Sequence, residues 1–595
     1  MNSEEINSIL KQFYEGDKNI AYTKLKKIFN ENKNNTKLRF NLAVIQQSLN
    51  LNNEARSNYK FLINSEQDIK SMFNLYLIEV KEERYLDALN LINKIIDKNN
   101  DHENIFEDKA FVLYKLKRYS ESIAICKEKL EIKKDNINFL NILGLNYFAN
   151  KDNKRSKEIF NKALLIDKNN ISVLNSIGRI YHEERNSKKA EEYLLKAYNL
   201  KQDSYEIVNN LAGFYREESD YLKAVDYYNK ALKINPDNPS IINNLAKTYF
   251  DIGDLDLAEN YSLKALKLNE NDGNIKKILS FIYLKKQNYK LGWSYFDGRL
   301  NLTDFVEKNT TINKLRKKLY TKNDIDVNSK ILILREQGVG DEILYGTIYK
   351  DALKNLPNAK IECDKRLIDL FKNSFTKYKN SFVELGSISN NDNKLKSFDN
   401  VLYAGSLGKF FRRKKGDFKY DNYLVANKNK IEKFRLYLKQ FNKKINIGIS
   451  WRSFKNRYSN EKSLSLYDFD KVLNSKDCNF FNLQYGDVDS EILEFTKKNN
   501  IEIITNKEID LFNDLDSLAA FLKNIDLFIT VSNSTAHLSG ALGTNTILIK
   551  PSNHALFHYW NQPTNKTPWY KSVKIIDKDE LKNINISKEY FNFEN

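Results

Sequence analysis

Leu143-Gly144-Leu145-Asn146-Tyr147 is followed 34 residues later by Ile177-Gly178-Arg179-Ile180-Tyr181, and at the same step by Leu211-Ala212-Gly213-Phe214-Tyr215 and Leu245-Ala246-Lys247-Thr248-Tyr249. Twelve residues beyond each small residue stand Ser156, Ala190, Ala224 and Ala258, and seven further on stand Ala163, Ala197, Ala231 and Ala265. Each column has a packing reason. The small residue on a first helix lets a second helix approach closely, the alanines on the second helix admit the next unit, and the tyrosine fills the gap between them. Weaker copies run upstream through Ala110, Ala88, Ala55 and Ala21, with one step shortened to 33, and a last one holds Leu279, Ser280, Tyr283 and Gly292. The turn Asn235-Pro236-Asp237-Asn238-Pro239 ends one unit with residues that do not continue a helix.

A period of this length with these residue sizes resembles the tetratricopeptide repeat. Residues 1–300 therefore read as an all-α tetratricopeptide solenoid of about eight or nine helix pairs. Solenoids of this kind bind partners along a concave face. That expectation comes from architecture alone.

After about residue 320 the period stops and short apolar strands punctuated by glycine begin. Ile331–Leu334, 360–363, 382–385, 401–403, 445–450, 480–484, 501–504, 527–531 and 546–549 are strand candidates, with helical stretches between them. Strands alternating with helices give parallel sheets covered on both faces. The organisation expected is a solenoid over 1–300, a linker over 301–328, a Rossmann-like acceptor-side domain over 329–430 and a second Rossmann-like domain over 431–595. The two α/β units, joined near 425–442, imply a cleft.

Ligands of open parallel sheets sit beyond the carboxyl ends of strands, and three loops there carry suitable chemistry. The first is Gly338-Val339-Gly340-Asp341, which places a carboxylate at the sheet edge. A structural turn, with Asp341 capping the next helix, is the alternative. The second is Ser450-Trp451-Arg452 running on to Lys462-Ser463, which brings a hydroxyl, an aromatic ring and two cations. The third is Ser532-Asn533-Ser534-Thr535-Ala536-His537, opening a helix. Hydroxyl and amide residues at a helix start serve as N-caps. They also build a phosphate site, because unpaired N–H groups and the helix dipole point at the ligand.

Together, Glu336-Gln337-Gly338-Val339-Gly340-Asp341, Gly448-Ile449-Ser450-Trp451-Arg452, Asn482-Leu483-Gln484-Tyr485-Gly486, Ala519–Gly543 and Pro568-Trp569-Tyr570 resemble bacterial glycosyltransferases with an N-terminal tetratricopeptide arm. Those are similar to the ADP-heptose:lipopolysaccharide heptosyltransferases. The resemblance implies a GT-B-like pair of Rossmann-like domains and a metal-independent, inverting transfer of a sugar from a nucleotide-sugar to a hydroxyl of a protein or surface glycan. It implies no cofactor beyond the nucleotide-sugar donor substrate. Asp341 matches the family's candidate general base. Donor contacts are expected from Gly338, Gly340, Ser450, Trp451, Arg452, Lys462, Ser463, Gln484, Ser532, Asn533, Ser534, Thr535 and His537. The chain departs from the pattern at Ser532-Asn533, where relatives often carry Asp-Thr, and at Ala555–Trp560, where they are rich in Asp-Trp-Arg-Trp. The alternative function is a catalytically inactive transferase-like scaffold for protein–protein interaction.

Composition excludes little else. With 41% hydrophobic and 29% charged residues the chain has a globular composition. No apolar run reaches about 18 residues, and the acidic start lacks a signal-peptide pattern, so a cytoplasmic protein is expected. Cys126, Cys363 and Cys478 are too scattered for a metal site. The charge of +18 reads mainly as compositional lysine, and nucleic acid is not the expected partner. Arg412-Arg413-Lys414-Lys415 forms a local basic cluster and a candidate peripheral membrane contact. His537, His554 and His558 lack nearby cysteine or carboxylate ligands, and Asp487 and Asp489 read as caps of the next helix rather than a metal pair. The glycine loop lacks the Gly-Lys-Ser/Thr of a phosphate-binding loop and the third glycine of a dinucleotide fingerprint.

Overall fold

The structure is a computed structural model that describes residues 3–98, 103–302, 315–322, 324–336, 338–419, 422–453, 462–551, 558–560, 562, 564–584 and 586. The chain divides into two compact units, Met1–Phe214 and Tyr215–Asn595.

In the first unit helices follow one another in pairs, from Ser3–Tyr14 with Lys18–Glu31 through Ile171–Glu183 with Ser187–Leu200. Asparagine and aspartate start them: Asn136, Asp152, Asn170 and Asn186 each accept a backbone N–H of the first turn, an arrangement typically worth ~1 kcal/mol per cap. The small column is needed sterically. A Cβ on Gly144 would lie 2.5 Å from the Phe160 ring, and one on Gly178 2.7 Å from Leu194. Ser156 stands among alanines and stays buried because its hydroxyl donates to the Gly144 carbonyl at 2.7 Å.

The second unit continues the pairs to Gly273–Lys285 and Tyr289–Phe296, which makes nine pairs over the described residues. Pro239 occupies the first turn of Pro239–Ile252, whose cap is Asn238, a place where its missing N–H costs nothing. The tyrosine column fills its gap by stacking: Tyr215 on Tyr227 at 5.5 Å, Tyr249 on Tyr261 at 5.5 Å and Tyr283 on Tyr295 at 5.8 Å.

The last pair is built into the α/β body. Trp293 is buried and leaves no room for a Cβ on Gly408. Just beyond it, Arg299 makes a buried ion pair with Glu336, its Nε donating to Oε2 at 3.2 Å, while the Gly405 N–H donates to Glu336 Oε1 at 2.8 Å. Of the stretch expected as a linker, residues 303–314 lie outside the described set. Further on, the Tyr320 N–H donates to the Val401 carbonyl at 2.9 Å and Leu319 bridges Val401 in parallel, so this stretch is fixed to a sheet edge.

Two all-parallel sheets follow. The first has β1 (Ile331–Leu334), β2 (Lys360–Cys363), β3 (Phe382–Glu384) and β4 (Asn400–Tyr403) in the order β3-β2-β1-β4. The second holds β5 (Ile445–Ser450), β6 (Cys478–Asn482), β7 (Ile503–Ile504), β8 (Leu527–Val531), β9 (Thr546–Ile549) and β10 (Val573–Ile576), ordered β10-β9-β8-β5-β6-β7. The central strands β1 and β8 are buried along their whole length, as parallel strands covered on both faces must be. Helix Lys428–Leu438 connects the sheets, with Phe434 against Phe521 of the helix Leu515–Leu522. β10 was not anticipated from the sequence.

The basic cluster needs correction. Arg412 is buried, its guanidinium donating to Asp351 at 2.8 Å and to the Thr347 carbonyl at 2.6 Å, and a charge spent there is lost to a membrane surface. Arg413, Lys414 and Lys415 are exposed.

Arg299→Met strands a buried Glu336 carboxylate and should cost ~3–5 kcal/mol, seen as a lower thermal midpoint. Arg435→Met, which breaks the surface pair with Glu432, should leave the midpoint nearly unchanged. Equal midpoints for the two variants would contradict this ranking.

Candidate active site

Strand order reverses at β1 in the first sheet and at β5 in the second. At such switch points the loops leave in opposite directions and open a crevice. Each crevice is met by a helix N-terminus: Val339–Asn355 after β1 and Ser534–Leu542 after β8. The two helix starts also meet each other. A Cβ on Gly340 would lie 3.2 Å from His537 Cδ2 and 3.4 Å from Ser534 Cα, a tight contact that glycine avoids.

Gly338 is the N-cap of the first helix, which leaves Asp341 as its third residue rather than its cap. Asp341 is half-buried, and its charge acts on the phenols of Tyr345, Tyr559 and Tyr570. Burial foremost, with Asp341 adding to it, holds all three phenols well above their ordinary pKa. The neighbouring Glu342 is buried elsewhere, accepting from the Asp364 N–H at 2.9 Å and pairing with Arg335 at 3.1 Å. Burial pushes its carboxyl up to about 7.

On the opposite helix Asn533 is the cap, its Oδ1 accepting from the Ala536 N–H at 3.0 Å. Its Nδ2 donates to Ser450 Oγ at 2.8 Å, and Ser450 in turn donates to Gln484 Oε1 at 3.0 Å. Gln484 Oε1 also accepts from the Trp451 and Arg452 N–H groups at 3.0 and 2.7 Å. Ser450, Gln484 and Asn533 thus knot together the carboxyl ends of β5, β6 and β8. Gln484 and Ser450 are buried and position these loops. Trp451, expected beside the donor, is instead packed into the core with its indole N–H on Glu491 at 3.2 Å. Arg452 pairs with the same Glu491 at 2.9 Å and keeps its side chain partly exposed. Ser463 accepts the Ser453 N–H at 3.0 Å, which brings buried Lys462 back to the end of β5. Ser532, Thr535 and His537 are buried at the second helix start and Ser534 is half-buried.

His537 is enclosed by aromatic rings that the sequence reading missed. It stacks on Trp560 at 4.8 Å, meets Tyr559 edge-on at 5.0 Å and shares a hydrogen bond of 3.2 Å between Nδ1 and the Tyr570 hydroxyl. His558 has a different role. It lies among Trp293, Phe296 and Phe281 at 5.8–5.9 Å, and its Nε2 has no partner among the described residues. His554 lies outside the described residues.

The comparisons with known proteins speak mainly to the helical part. Tetratricopeptide-repeat models match residues 137–170, 171–204 and 239–272, and a TPR-repeat model matches 214–253. The chain is 27% identical over 258 residues to protein FlbA of Caulobacter vibrioides, a match that covers 41% of this chain and 42% of FlbA. It therefore spans less than half the length of that curated relative. Among solved structures it is similar to that of Pseudomonas aeruginosa pilF, with 18% identity over 33% of this chain and 91% of that one, at a TM-score of 0.30. It is also similar to a tetratricopeptide repeat protein from Parabacteroides merdae, with 15% identity over 42% and 98% of the two chains, at a TM-score of 0.32. The helical part of the chain is a tetratricopeptide-repeat array, a protein-binding architecture. Among the described residues no helix is long and apolar enough to cross a membrane.

Burial pulls the His558 imidazole down to about 3, with Arg299 adding to the effect. The unfolded chain takes up this proton below pH ~6.5 and the folded chain does not. The contribution of His558 to stability is therefore complete above pH ~6.5 and lost towards pH ~3, by up to ~1.4 kcal/mol per pH unit. Glu342 acts with the opposite sign from its ordinary value up to about 7, and does so in any variant that retains it. His558→Phe should therefore shed ~2 kcal/mol of the acid loss between pH 7 and 5 relative to the parent. Parallel stability–pH curves for the two proteins would refute the assignment.

Proposed function

We propose that residues 329–595 form a GT-B-like glycosyltransferase that moves a sugar from a nucleotide-sugar to an acceptor hydroxyl, with the repeat array recruiting the acceptor protein. The observation that carries this reading is the meeting of two helix N-termini at the carboxyl ends of two parallel sheets, with Asp341 in the first turn of one.

The chemistry follows from that placement. The donor diphosphate lies at the Ser532–His537 helix start, where the first-turn N–H groups of Ser534 and Thr535 lack intrahelical acceptors. Lys462 and Arg452, at the end of β5, supply counter-charge. Asp341 takes the proton of the acceptor hydroxyl as its oxygen bonds to the anomeric carbon. The bond from that carbon to the diphosphate breaks on the opposite face, so the configuration inverts. The departing diphosphate gathers negative charge, and fixed N–H groups aimed at it help the transition state more than the ground state. The aromatic rings around His537 keep water from the same space.

Asp341→Asn separates base from scaffold, because asparagine keeps the size and polarity but does not take the proton. With a donor found by thermal-shift screening of nucleotide-sugars, the variant should keep donor affinity and melting midpoint. Its turnover should fall ~10²-fold or more. Near-normal turnover would end the assignment of Asp341 as base. A second outcome concerns the metal: activity should survive excess chelator, since helix N–H groups and cations stand where a divalent ion would. Loss of activity restored by manganese or magnesium would contradict the mechanism.

A further inference from the structure

Tryptophan has one polar side-chain group, an indole N–H that donates and does not accept. Glu491 satisfies that of Trp451. The Trp560 N–H has no acceptor among the described residues, although the side chain is fully buried. Buried donors are nearly always bonded, so an exception calls for a physical reason. The Trp293 N–H also lacks a partner among the described residues, but that ring belongs to the join of the last repeat, against Gly408 and His558. Trp560 lies at the crevice. Its ring stacks on His537 at 4.8 Å, meets Tyr559 edge-on at 5.3 Å and lies 6.1 Å from Tyr570. These neighbours do not satisfy it, since His537 Nδ1 and the Tyr570 hydroxyl bond each other at 3.2 Å. The far side of the same imidazole is Gly340, whose Cβ would lie 3.2 Å from His537 Cδ2, and Asp341 is the next residue. The indole, the imidazole and the Asp341 loop are therefore layered across the meeting of the two helix starts.

A buried donor without an acceptor costs free energy in the isolated chain, and a ligand oxygen placed against it relieves that cost. In the transfer proposed above, the diphosphate has the helix N–H groups with Lys462 and Arg452, and Asp341 receives the acceptor's proton. The sugar in transit lies between them, beside the ring on which Trp560 stacks. We propose, resting on that reading, that the Trp560 indole N–H donates to an oxygen of the transferred sugar, so that Trp560 selects the sugar and not the nucleotide. A neutral donor suits a neutral hydroxyl or acyl oxygen, whereas the charged diphosphate is matched by cations and a helix start. Discrimination of this kind is steep, because a sugar lacking the oxygen leaves the buried N–H bare.

The test is calorimetric titration of the full chain with UDP, GDP and ADP beside UDP-N-acetylglucosamine, GDP-mannose and ADP-glucose. Trp560→Phe keeps a ring against His537 and removes only the N–H donor from it. For the pair that the parent binds, the variant should hold the nucleoside diphosphate within ~twofold and the nucleotide-sugar ~tenfold more weakly. Thermal melts report whether the variant is folded. A second reading needs no folded Trp560 variant: the parent labelled with indole nitrogen-15 gives one signal for each of its four tryptophans. The Trp560 signal, assigned by elimination with Trp293→Phe, Trp451→Phe and Trp569→Phe, should shift with the nucleotide-sugar well beyond its shift with the nucleoside diphosphate. Parent-like affinity of Trp560→Phe for the nucleotide-sugar, an equal loss for both ligands, or equal shifts with both overturns the sugar contact and leaves the transferase reading standing. A parent that binds none of the six compounds overturns that reading, and the sugar contact with it.

Discussion

The buried pair between Arg299 and Glu336 joins three parts of the chain that are far apart in sequence. Arg299 follows the last repeat helix, Glu336 lies just after β1 and before the glycine loop, and Gly405, which donates its N–H to the same carboxylate, follows β4. Two charges taken out of water cost several kcal/mol each, and only close pairing with further hydrogen bonds offsets this. Glu336 has both, and Ser406 adds an oxygen to Arg299 at 3.1 Å. Disturbing one partner exposes the other to its full desolvation cost. The last repeat is therefore part of the α/β body rather than a tether to it, and Trp293 packed on Gly408 gives the same join an apolar half.

With β1 anchored in this way, the glycine-loop helix runs directly onto the helix that follows β8. Gly340 lets the two lie close, since a Cβ there would crowd His537 and Ser534, and a Cβ on Gly346 would strike the Tyr423 hydroxyl. Tyr423 donates to the Ile343 carbonyl at 2.6 Å, so this contact is also a fixed one. The result is a small region walled by aromatic rings in which Asp341 and the Ser532–His537 turn share one environment. Weakly screened charges interact strongly in such surroundings. That is the physical basis for the donor and base roles proposed here.

The repeat was legible because its constraint is local and periodic: sizes at fixed spacing determine whether helices can approach. The central strands were legible for a related reason, since strands covered on both faces are continuous apolar runs. β10 escaped because Val573-Lys574-Ile575-Ile576 is short, broken by a lysine and next to a loop rich in aromatics. Side-chain direction was less readable. Trp451 follows Ser450 in a loop that suggested a ligand contact, yet Glu491, 40 residues on, draws its indole into the core. Arg412 looked like a surface charge because Asp351, its partner, is 61 residues away. Asp489 was read as a cap, but the helix Asp489–Asn499 begins at that residue, and Val488 precedes it without a side-chain cap bond. Tyr559 and Tyr570 gained their place only through His537, a contact across the fold that no spacing announces.

The measurement that tests the account most directly is hydrogen exchange of the full chain with and without a saturating nucleoside diphosphate. Protection is predicted at both helix starts together, Gly338–Tyr345 and Ser532–His537, because one ligand would span a single crevice. Protection confined to the repeats, or to only one of the two helix starts, would contradict a shared site between the two sheets.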